Sequence, residues 1–422
     1  MNESQIKDIV NRVGTPAFIY DSEVISGKFE QMYDFLPPVV NIYYSMKANP
    51  SLGICQYIKQ LTKCIEVSSL GEIECALKAG FLAENILFSG PGKTHEELLF
   101  AIGKKIKINV ESIQEIKDIQ QICEAFTYSA SIMIRLNPNF QSSSGIKMSG
   151  VVSQFGIDML DLPDIVNLTI KNAYIDLIGM SIYMGSQILD AEIIISNTER
   201  IIKMFIDIQE EYGIKLKKVN VGGGFGISYF DGKCLDIKVL KQGFKVIFGK
   251  FKDKLEKTEI FFESGRYLIA DSGVFVTKVL YTKTIKDKNY LICDGGFNNI
   301  IVSSFFTREI RGNFPIELIK QNERIDNDKT MEYNIAGPLC SPSDVIGSKI
   351  NMPYVHKDDY LIIRRVGAYG LTFSPALFIS HSIPAEVFID GEDYYIIRKK
   401  SSSKDLFKNQ CPLPNKFFER KE

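Results

Sequence analysis

The chain has 422 residues, 45% of them hydrophobic and 24% charged, with a formal net charge of -1, no Trp and three His. That length exceeds one ordinary core and implies two domains. The near-neutral charge does not suggest a nucleic-acid binder, although the total leaves a local basic patch open, and the shortage of His leaves little for a hydrolytic triad or a zinc site. The eight Cys (55, 64, 75, 123, 234, 293, 340 and 411) form no C-x-x-C pair, so a cytoplasmic protein with reduced thiols is expected. The N-terminus lacks the basic start and apolar run of a secretion signal. No apolar stretch approaches the ~18 residues of a membrane span. Hard chemistry without His or metal points to an organic cofactor.

In chain order, Pro16–Tyr20 reads as a strand ahead of the main α/β region and is a candidate member of a later sheet. From Val24 to Gly265, short apolar runs alternate with longer amphipathic ones. Strands are expected at Asn41–Met46, Cys64–Val67, Ile86–Phe88, Ile106–Val110, Ser131–Leu136, Leu177–Tyr183, Val219–Val221 and Ile260–Phe262. Helical spacing is expected at Leu52–Leu61, Gly71–Ala79, Glu96–Ala101, Ile113–Ala125 and Ala191–Tyr212. Eight such runs match a (β/α)8 TIM barrel in count and length, whereas a doubly wound open sheet fits their even spacing less well. After Arg266, the short β-branched and aromatic runs Tyr267–Tyr281, Tyr290–Cys293, Met331–Ala336, Tyr360–Arg364, Ala385–Ile389 and Asp393–Ile397 predict a mainly β domain. The expected layout is an α/β barrel over residues 24–265, a β-sandwich or β-barrel domain from residues 1–23 and 266–400, and a polar, loosely ordered tail over 401–422.

Five positions could carry chemistry. Lys47 ends a strand in Tyr43-Tyr44-Ser45-Met46-Lys47-Ala48-Asn49-Pro50. At a barrel strand's end its pKa could be lowered by desolvation, making it an amine nucleophile, or it could be a solvated strand-end lysine. Val221-Gly222-Gly223-Gly224-Phe225-Gly226 could bring backbone N–H groups to a phosphate or simply form a tight turn. Glu263-Ser264-Gly265-Arg266 could place a carboxylate against a ring nitrogen and a guanidinium against a phosphate, or hold a structural ion pair. Cys340 lies in the turn-rich Ala336-Gly337-Pro338-Leu339-Cys340-Ser341, and Tyr369 in Gly367-Ala368-Tyr369-Gly370; either could be an ordinary packed residue.

The order of these motifs resembles the fold-type III pyridoxal-5′-phosphate (PLP) decarboxylases, which include the diaminopimelate, ornithine and arginine enzymes. The likeness runs from Pro16 to Ile397. It implies an alanine-racemase-like barrel that binds PLP, a C-terminal β domain, and a homodimer with shared active sites. By motif, Lys47 looks like the lysine that holds PLP as a Schiff base, and Glu263 like the partner of the pyridine nitrogen. Ser186, Gly223, Gly224, Gly265, Arg266 and Tyr369 look like the phosphate shell. Arg135, in Ile134-Arg135-Leu136-Asn137-Pro138, is similar to the family arginine near the ring. Cys340 resembles the thiol, supplied by the partner subunit, that returns a proton to Cα.

Three departures bear on the substrate. The run Ser181-Ile182-Tyr183-Met184-Gly185-Ser186-Gln187 has Tyr183 where the family usually stacks a His on the ring. Ser341 follows Cys340 where an acidic residue commonly binds a distal amine. Ile300-Ile301-Val302 stands where diaminopimelate decarboxylases carry an arginine. Both charged anchors for a free diamino acid are thereby lost. Phe88-Ser89-Gly90-Pro91-Gly92-Lys93, Ile146-Lys147-Met148-Ser149-Gly150-Val151, Gln154-Phe155-Gly156 and Gly367 to Pro375 resemble the branch that decarboxylates a glutamyl unit on an acyl carrier protein in butirosin biosynthesis. The resemblance therefore implies a thioester-linked aminoacyl substrate and a carrier-protein partner. Alternatives are a free diamino acid or a siderophore or polyamine precursor, a racemase, and a non-catalytic PLP-binding protein.

Overall fold

The computed structural model describes residues 1–140, 149–150, 152–230, 234–302, 312–322 and 330–414, together with residue 143 and the backbone of residues 146–147. Met148 and Val151 of the motif noted above, and residues 415–422 of the tail, lie outside the described residues.

Eight parallel strands close into a barrel: Val40–Ser45, Cys64–Val67, Ile86–Phe88, Lys107–Val110, Ala130–Asn137, Ile175–Ser181, Lys218–Gly223 and Glu259–Ser264. Closure comes from pairing of the eighth strand with the first, Ile260 opposite Val40 through Ser264 opposite Tyr44. Each expected strand falls within about two residues of an observed one. The sixth strand ends at Ser181, two residues before its expected end, so Tyr183 stands on the loop beyond it.

Strand alternation sorts the side chains. One set, including Ile42, Tyr44, Ile65, Ile108 and Phe262, is buried against the surrounding helices. The other set points into the lumen and changes character with height. At the N-terminal end, Lys218 is ion-paired with Glu259, which also accepts from the Tyr43 hydroxyl. Tyr43, Leu87, Met133, Ile178 and Phe261 form a separate apolar plug above them, with the Tyr43 and Phe261 rings stacked at 4.0 Å. Above the plug the same alternation delivers Glu66, Asn109, Arg135, Ser181, Asn220 and Glu263 to the C-terminal mouth. A filled barrel with its polar layer at that end is the arrangement of (β/α)8 enzymes.

The helices are capped by their own sequence. Ser69 accepts from Glu72 N, Ser112 from Glu115 N, and Thr94 with Glu97 forms a reciprocal box. Helices Ser22–Phe35, Leu162–Ile170 and Ile237–Lys250 add to the helical runs named from the sequence. Gly27 and Gly243 interrupt the apolar period of two of them, and tertiary packing overrides the weak propensity.

Among the described residues the second domain is a nine-stranded mixed sheet. At its centre Ala17–Asp21 pairs antiparallel with Gly273–Ile285 and parallel with Ala385–Asp390. The run expected as one strand from Tyr267 begins instead with two helical turns, Arg266–Ile269 and Ala270–Ser272, and extends only from Gly273. Those turns carry the chain from the barrel mouth to the sheet. Ile6, Ile9 and Val10 of the helix Glu3–Val13 cover the outer face of the sheet. Phe18, Phe275 and Leu361 share one continuous core with the barrel. Within the tail, Ser403–Phe407 forms a capped 3-10 turn. Among the described residues no helix is long and apolar enough to cross a membrane.

One clasp joins the domains at the barrel mouth. The buried Asn49 side chain donates to Gly367 O at 2.9 Å and accepts from Ser51 N at 3.1 Å. Tyr369 N donates to Ala48 O at 2.8 Å. Replacing Asn49 by Ala strands a buried carbonyl and a buried N–H. Asn49→Ala is expected to cost about 1–3 kcal/mol in urea-induced unfolding.

Candidate active site

A cavity of about 770 Å³ opens at the C-terminal mouth of the barrel. Lys47, Arg135, Tyr183, Ser186, Glu263, Arg266 and Tyr369 all line it. The structure therefore gathers seven residues singled out by sequence around one space. Gly223, Gly224 and Gly265 are not among the lining residues, though Gly223 packs on the backbone of Glu263, which is. Cys340 is exposed and does not line it, being placed on the loop between Thr330–Ala336 and Val345–Pro353.

Lys47 sits in a single 3-10 turn, Met46–Ala48, directly after the first strand. Its side chain is 45% exposed, into the cavity, and its Nζ lies 3.2 and 3.1 Å from the two oxygens of Glu66. Glu66 is the penultimate residue of the second strand and is only 2% exposed. Of the two readings the sequence left open for Lys47, the reactive one required desolvation to lower its pKa. Burial does act in that direction, but the carboxylates of Glu66 and Glu263 outweigh it and the pKa is raised. In this state the amine is a held cation.

Glu263, at the end of the eighth strand, is buried and accepts from Asn220 Nδ2 at 2.7 Å. Burial, reinforced by the neighbouring Glu66, lifts its pKa to about 7, against the opposing pull of Lys47 and Arg135. Glu72, one turn into the next helix, is likewise lifted to about 7 by burial and by Glu66. Burial also raises the Tyr183 phenol to about 12, against the pull of Lys47.

Arg266 follows Gly265. Its Nη1 donates to the Tyr229 hydroxyl at 2.7 Å, and its guanidinium lies 4.6 Å from the centre of the Tyr369 ring. Its Nε is buried without a hydrogen-bond partner. A buried guanidinium N–H left unpaired is costly, and beside a cavity it marks a place for an anion. The neighbouring glycines serve close packing. Gly222 and Gly224 have φ of +79° and +85°. A Cβ on Gly223 would strike Glu263 O, and one on Gly224 would strike Gly185 O. A Cβ on Gly265 would come within 2.7 Å of Ala48 Cβ. The Gly-rich loop lets the ends of three barrel strands converge on the site.

Residues that sequence reasoning missed complete the arrangement: Glu66, Asn109, Glu111, Asn220 and Tyr229. All but Tyr229 are single polar residues two positions apart from another inward-facing residue near the C-terminal end of an apolar run, as in Lys107-Ile108-Asn109-Val110-Glu111. That alternation was available as a signal.

The fit to PLP can be judged on this geometry. An amine in the cavity, a buried carboxyl held by an amide, and an orphaned guanidinium N–H suit its aldehyde, its ring nitrogen and its phosphate respectively. Residues 22–270 match the family described as pyridoxal-dependent decarboxylase, pyridoxal binding domain. The chain belongs to this family. It is 35% identical over 414 residues to the L-glutamyl-[BtrI acyl-carrier protein] decarboxylase of Niallia circulans, covering 97% of each chain. It is 30% identical over 424 residues to the diaminopimelate decarboxylase of Campylobacter jejuni, covering 99% of this chain and 100% of the other. Among solved structures, the diaminopimelate decarboxylase of M. jannaschii in co-complex with L-lysine superposes with a TM-score of 0.88 at 26% identity, over 97% of this chain and 95% of that one. This pyridoxal-dependent decarboxylase is accordingly a carboxy-lyase with PLP as cofactor.

Because Glu263 binds its proton more tightly in the folded chain than in the unfolded one, its contribution to the stability of the cofactor-free protein falls as pH rises from the usual carboxylate range through about 7. Glu263→Gln, neutral throughout, is expected to gain thermal stability relative to wild type between pH 5 and pH 8. Melting temperatures of the two apo-proteins across that interval test the sign.

Proposed function

We propose that this decarboxylase acts on an aminoacyl unit, such as glutamyl, tethered to an acyl carrier protein through a neutral thioester. One observation carries the proposal: the cavity's remaining charges, among the described residues, are already engaged. Lys93 Nζ bonds Glu115 at 2.7 Å, along with Gly90 O and Asn109 O. Arg135 is held by Glu111 at 2.9 Å. Glu97 accepts from Leu70 N and Thr94 N at 3.0 and 2.9 Å. Pro91, Phe155, Ile301, Val302 and Phe373 supply apolar wall. Among the described residues an anionic distal group would meet no free cation, and a cationic one only Glu97, whose oxygens are already taken by backbone N–H groups, which disfavours free diamino acids. The relative from Niallia circulans is named for an acyl-carrier-protein substrate, which supports the same reading.

Within the site, Lys47 would carry the cofactor through its ε-amine and Glu263 would face the pyridine nitrogen. Arg266, Ser186 and Tyr369, with the backbone of Gly223, Gly224 and Gly265, would hold the phosphate. Arg135 and Tyr183 would flank the ring. Bound there, PLP supplies an electron sink for cleavage of the Cα–carboxylate bond. Asn220 holds Glu263 in one orientation, and Glu66 steadies the Lys47 amine between proton transfers. Cys340 would protonate Cα in the other subunit of a homodimer, its exposed loop being pinned by Asp344, which accepts from Phe297 N and Leu339 N at 2.8 Å each. All eight Cys are free thiols, and a cytoplasmic setting suits them.

Purified enzyme with PLP is expected to remove CO2 from glutamyl-acyl carrier protein, read by mass spectrometry of the intact carrier. Efficient turnover of free diaminopimelate with the carrier substrate ignored would overturn the substrate reading. Lys47→Ala should lose both covalent PLP and turnover. Mixing inactive Lys47→Ala with inactive Cys340→Ala should restore activity if sites are shared between subunits; no recovery on mixing counts against sharing.

A further inference from the structure

We infer that Glu111 is the positioning residue that sets Arg135 and two cavity loops against the cofactor ring, an inference resting on the place given to Arg135 above. Glu111 stands just beyond the fourth barrel strand, its side chain 2% exposed. Its Oε1 accepts from Arg135 Nη1 at 2.9 Å and Gly90 N at 3.1 Å, and its Oε2 from Gly156 N at 3.0 Å. The three donors belong to the fifth strand, the loop after the third, and the segment entering Ile157–Asp158. One carboxylate thus ties together three parts of the chain far apart in sequence.

Arg135 depends on Glu111 in two directions. In its plane the guanidinium is held through Oε1. Across its face lies the Phe155 ring, 4.8 Å from the guanidinium carbon to the ring centre. Phe155 is followed by Gly156, whose N–H is fixed by Oε2. Gly156 has φ of +72°, and a Cβ there would lie 3.1 Å from Leu136 C, so this segment is seated directly on the strand that carries Arg135. Releasing Glu111 would loosen the cation and its aromatic cover together.

Glu111 is itself fixed by a closed circuit. Its backbone N donates to Glu115 Oε2 at 2.9 Å, and Glu115 Oε1 is paired with Lys93 at 2.7 Å. Lys93, 1% exposed, returns to Gly90 O at 2.7 Å. Gly90 N closes the loop on Glu111. Glu115 and Lys93 balance each other, leaving the Glu111 charge to balance Arg135. Through space Arg135 also acts on Glu263, whose pKa it pulls down. The groups facing Glu263 are Lys47, Glu66, Arg135, Asn220 and Tyr183. Removing the Glu111 charge leaves Arg135 uncompensated and extends its reach across the mouth.

The test compares PLP-loaded wild type, Glu111→Gln, Glu111→Asp, Arg135→Gln and the double variant Glu111→Gln/Arg135→Gln. In Glu111→Gln the pH titration of the cofactor's visible absorbance should move downward by about one unit. Its kcat should fall about tenfold or more with little change in KM. Glu111→Asp, which keeps the charge, should titrate as wild type and lose less rate. In the Arg135→Gln background the Glu111 substitution should have no further effect on the titration and a much smaller one on kcat, because its charge acts through that arginine and only its two loop contacts remain to be lost. The double variant replaces a buried ion pair by two neutral amides, so this arm survives if the single variant fails to fold. Fully additive effects overturn the inference, as does a Glu111→Gln protein with wild-type titration and kcat but a lowered melting temperature. Wild-type protein showing no visible band with PLP would remove the cofactor placement and this inference with it.

Discussion

The site depends on the clasp between Asn49 and the 367–369 loop. The first barrel strand delivers Lys47 to the mouth, but a lysine at the end of a strand has four rotatable bonds and no fixed address. The turn that follows is locked from both domains: Tyr44 OH donates to Asn49 O at 2.9 Å from within the barrel, and Asn49 Nδ2 reaches Gly367 O from the other side. The clasp also places Tyr369, whose N–H is bonded to Ala48 O, so that its ring covers Arg266. Two glycines permit this approach. A Cβ on Gly367 would strike Ile269 O, and one on Gly265 would press on Ala48 and Ser45 O. The lysine turn, the Arg266 turn and the sheet loop therefore meet at backbone distance. The β domain is part of the active-site wall.

Charge within the mouth is arranged as pairs: Lys47 with Glu66 and Arg135 with Glu111, with Arg266 bonded to a phenol and retaining one unpaired N–H. Glu263, like Glu97 farther out, has no dedicated cation among the described residues. It is held by an amide, repelled by Glu66, and lifted to about 7. A carboxyl in that condition exchanges its proton near neutrality. That behaviour suits the place proposed for Glu263 beside a ring nitrogen. Asn220 makes this possible: a neutral donor orients the carboxyl without fixing its charge.

Much of this was legible in the sequence, for physical reasons that also explain what was not. Strands buried on both faces are continuous apolar runs, and all eight barrel strands stood out. The residues of motif-bearing loops, Lys47, Glu263, Arg266 and Tyr369, were legible because glycine, proline and a single charged or phenolic group sit together at strand ends. Glu66, Asn220 and Glu111 were hidden inside apolar runs, where a lone polar residue looks like noise until the closed barrel shows which face is inward. The Lys47 pKa was left open for the same reason. Desolvation can be inferred from an apolar strand, whereas the opposing carboxylates come from strands distant in sequence. Tyr267 and its neighbours are apolar because they are buried. That property alone does not separate a strand from the helical turns that carry Arg266 into place.

The pairing of charges also constrains what can be recognised. A cavity that discriminates by charge needs a buried ion left without a partner until its ligand arrives, and such an ion destabilises the empty protein by several kcal/mol. Here, among the described residues, Lys93 is closed off by Glu115 and two carbonyls, and Glu97 by two backbone N–H groups. Lys93 has no free donor to offer a ligand, and the Glu97 oxygens are already taken up by backbone donors. Selection for the far end of a substrate then falls to shape and to apolar contact with Pro91, Ile301, Val302 and Phe373. Shape and apolar contact alone separate close analogues only weakly. A neutral tether whose carrier protein adds recognition outside the cavity relieves the pocket of that task. The missing charges and the proposed carrier-bound substrate are thus two sides of one constraint.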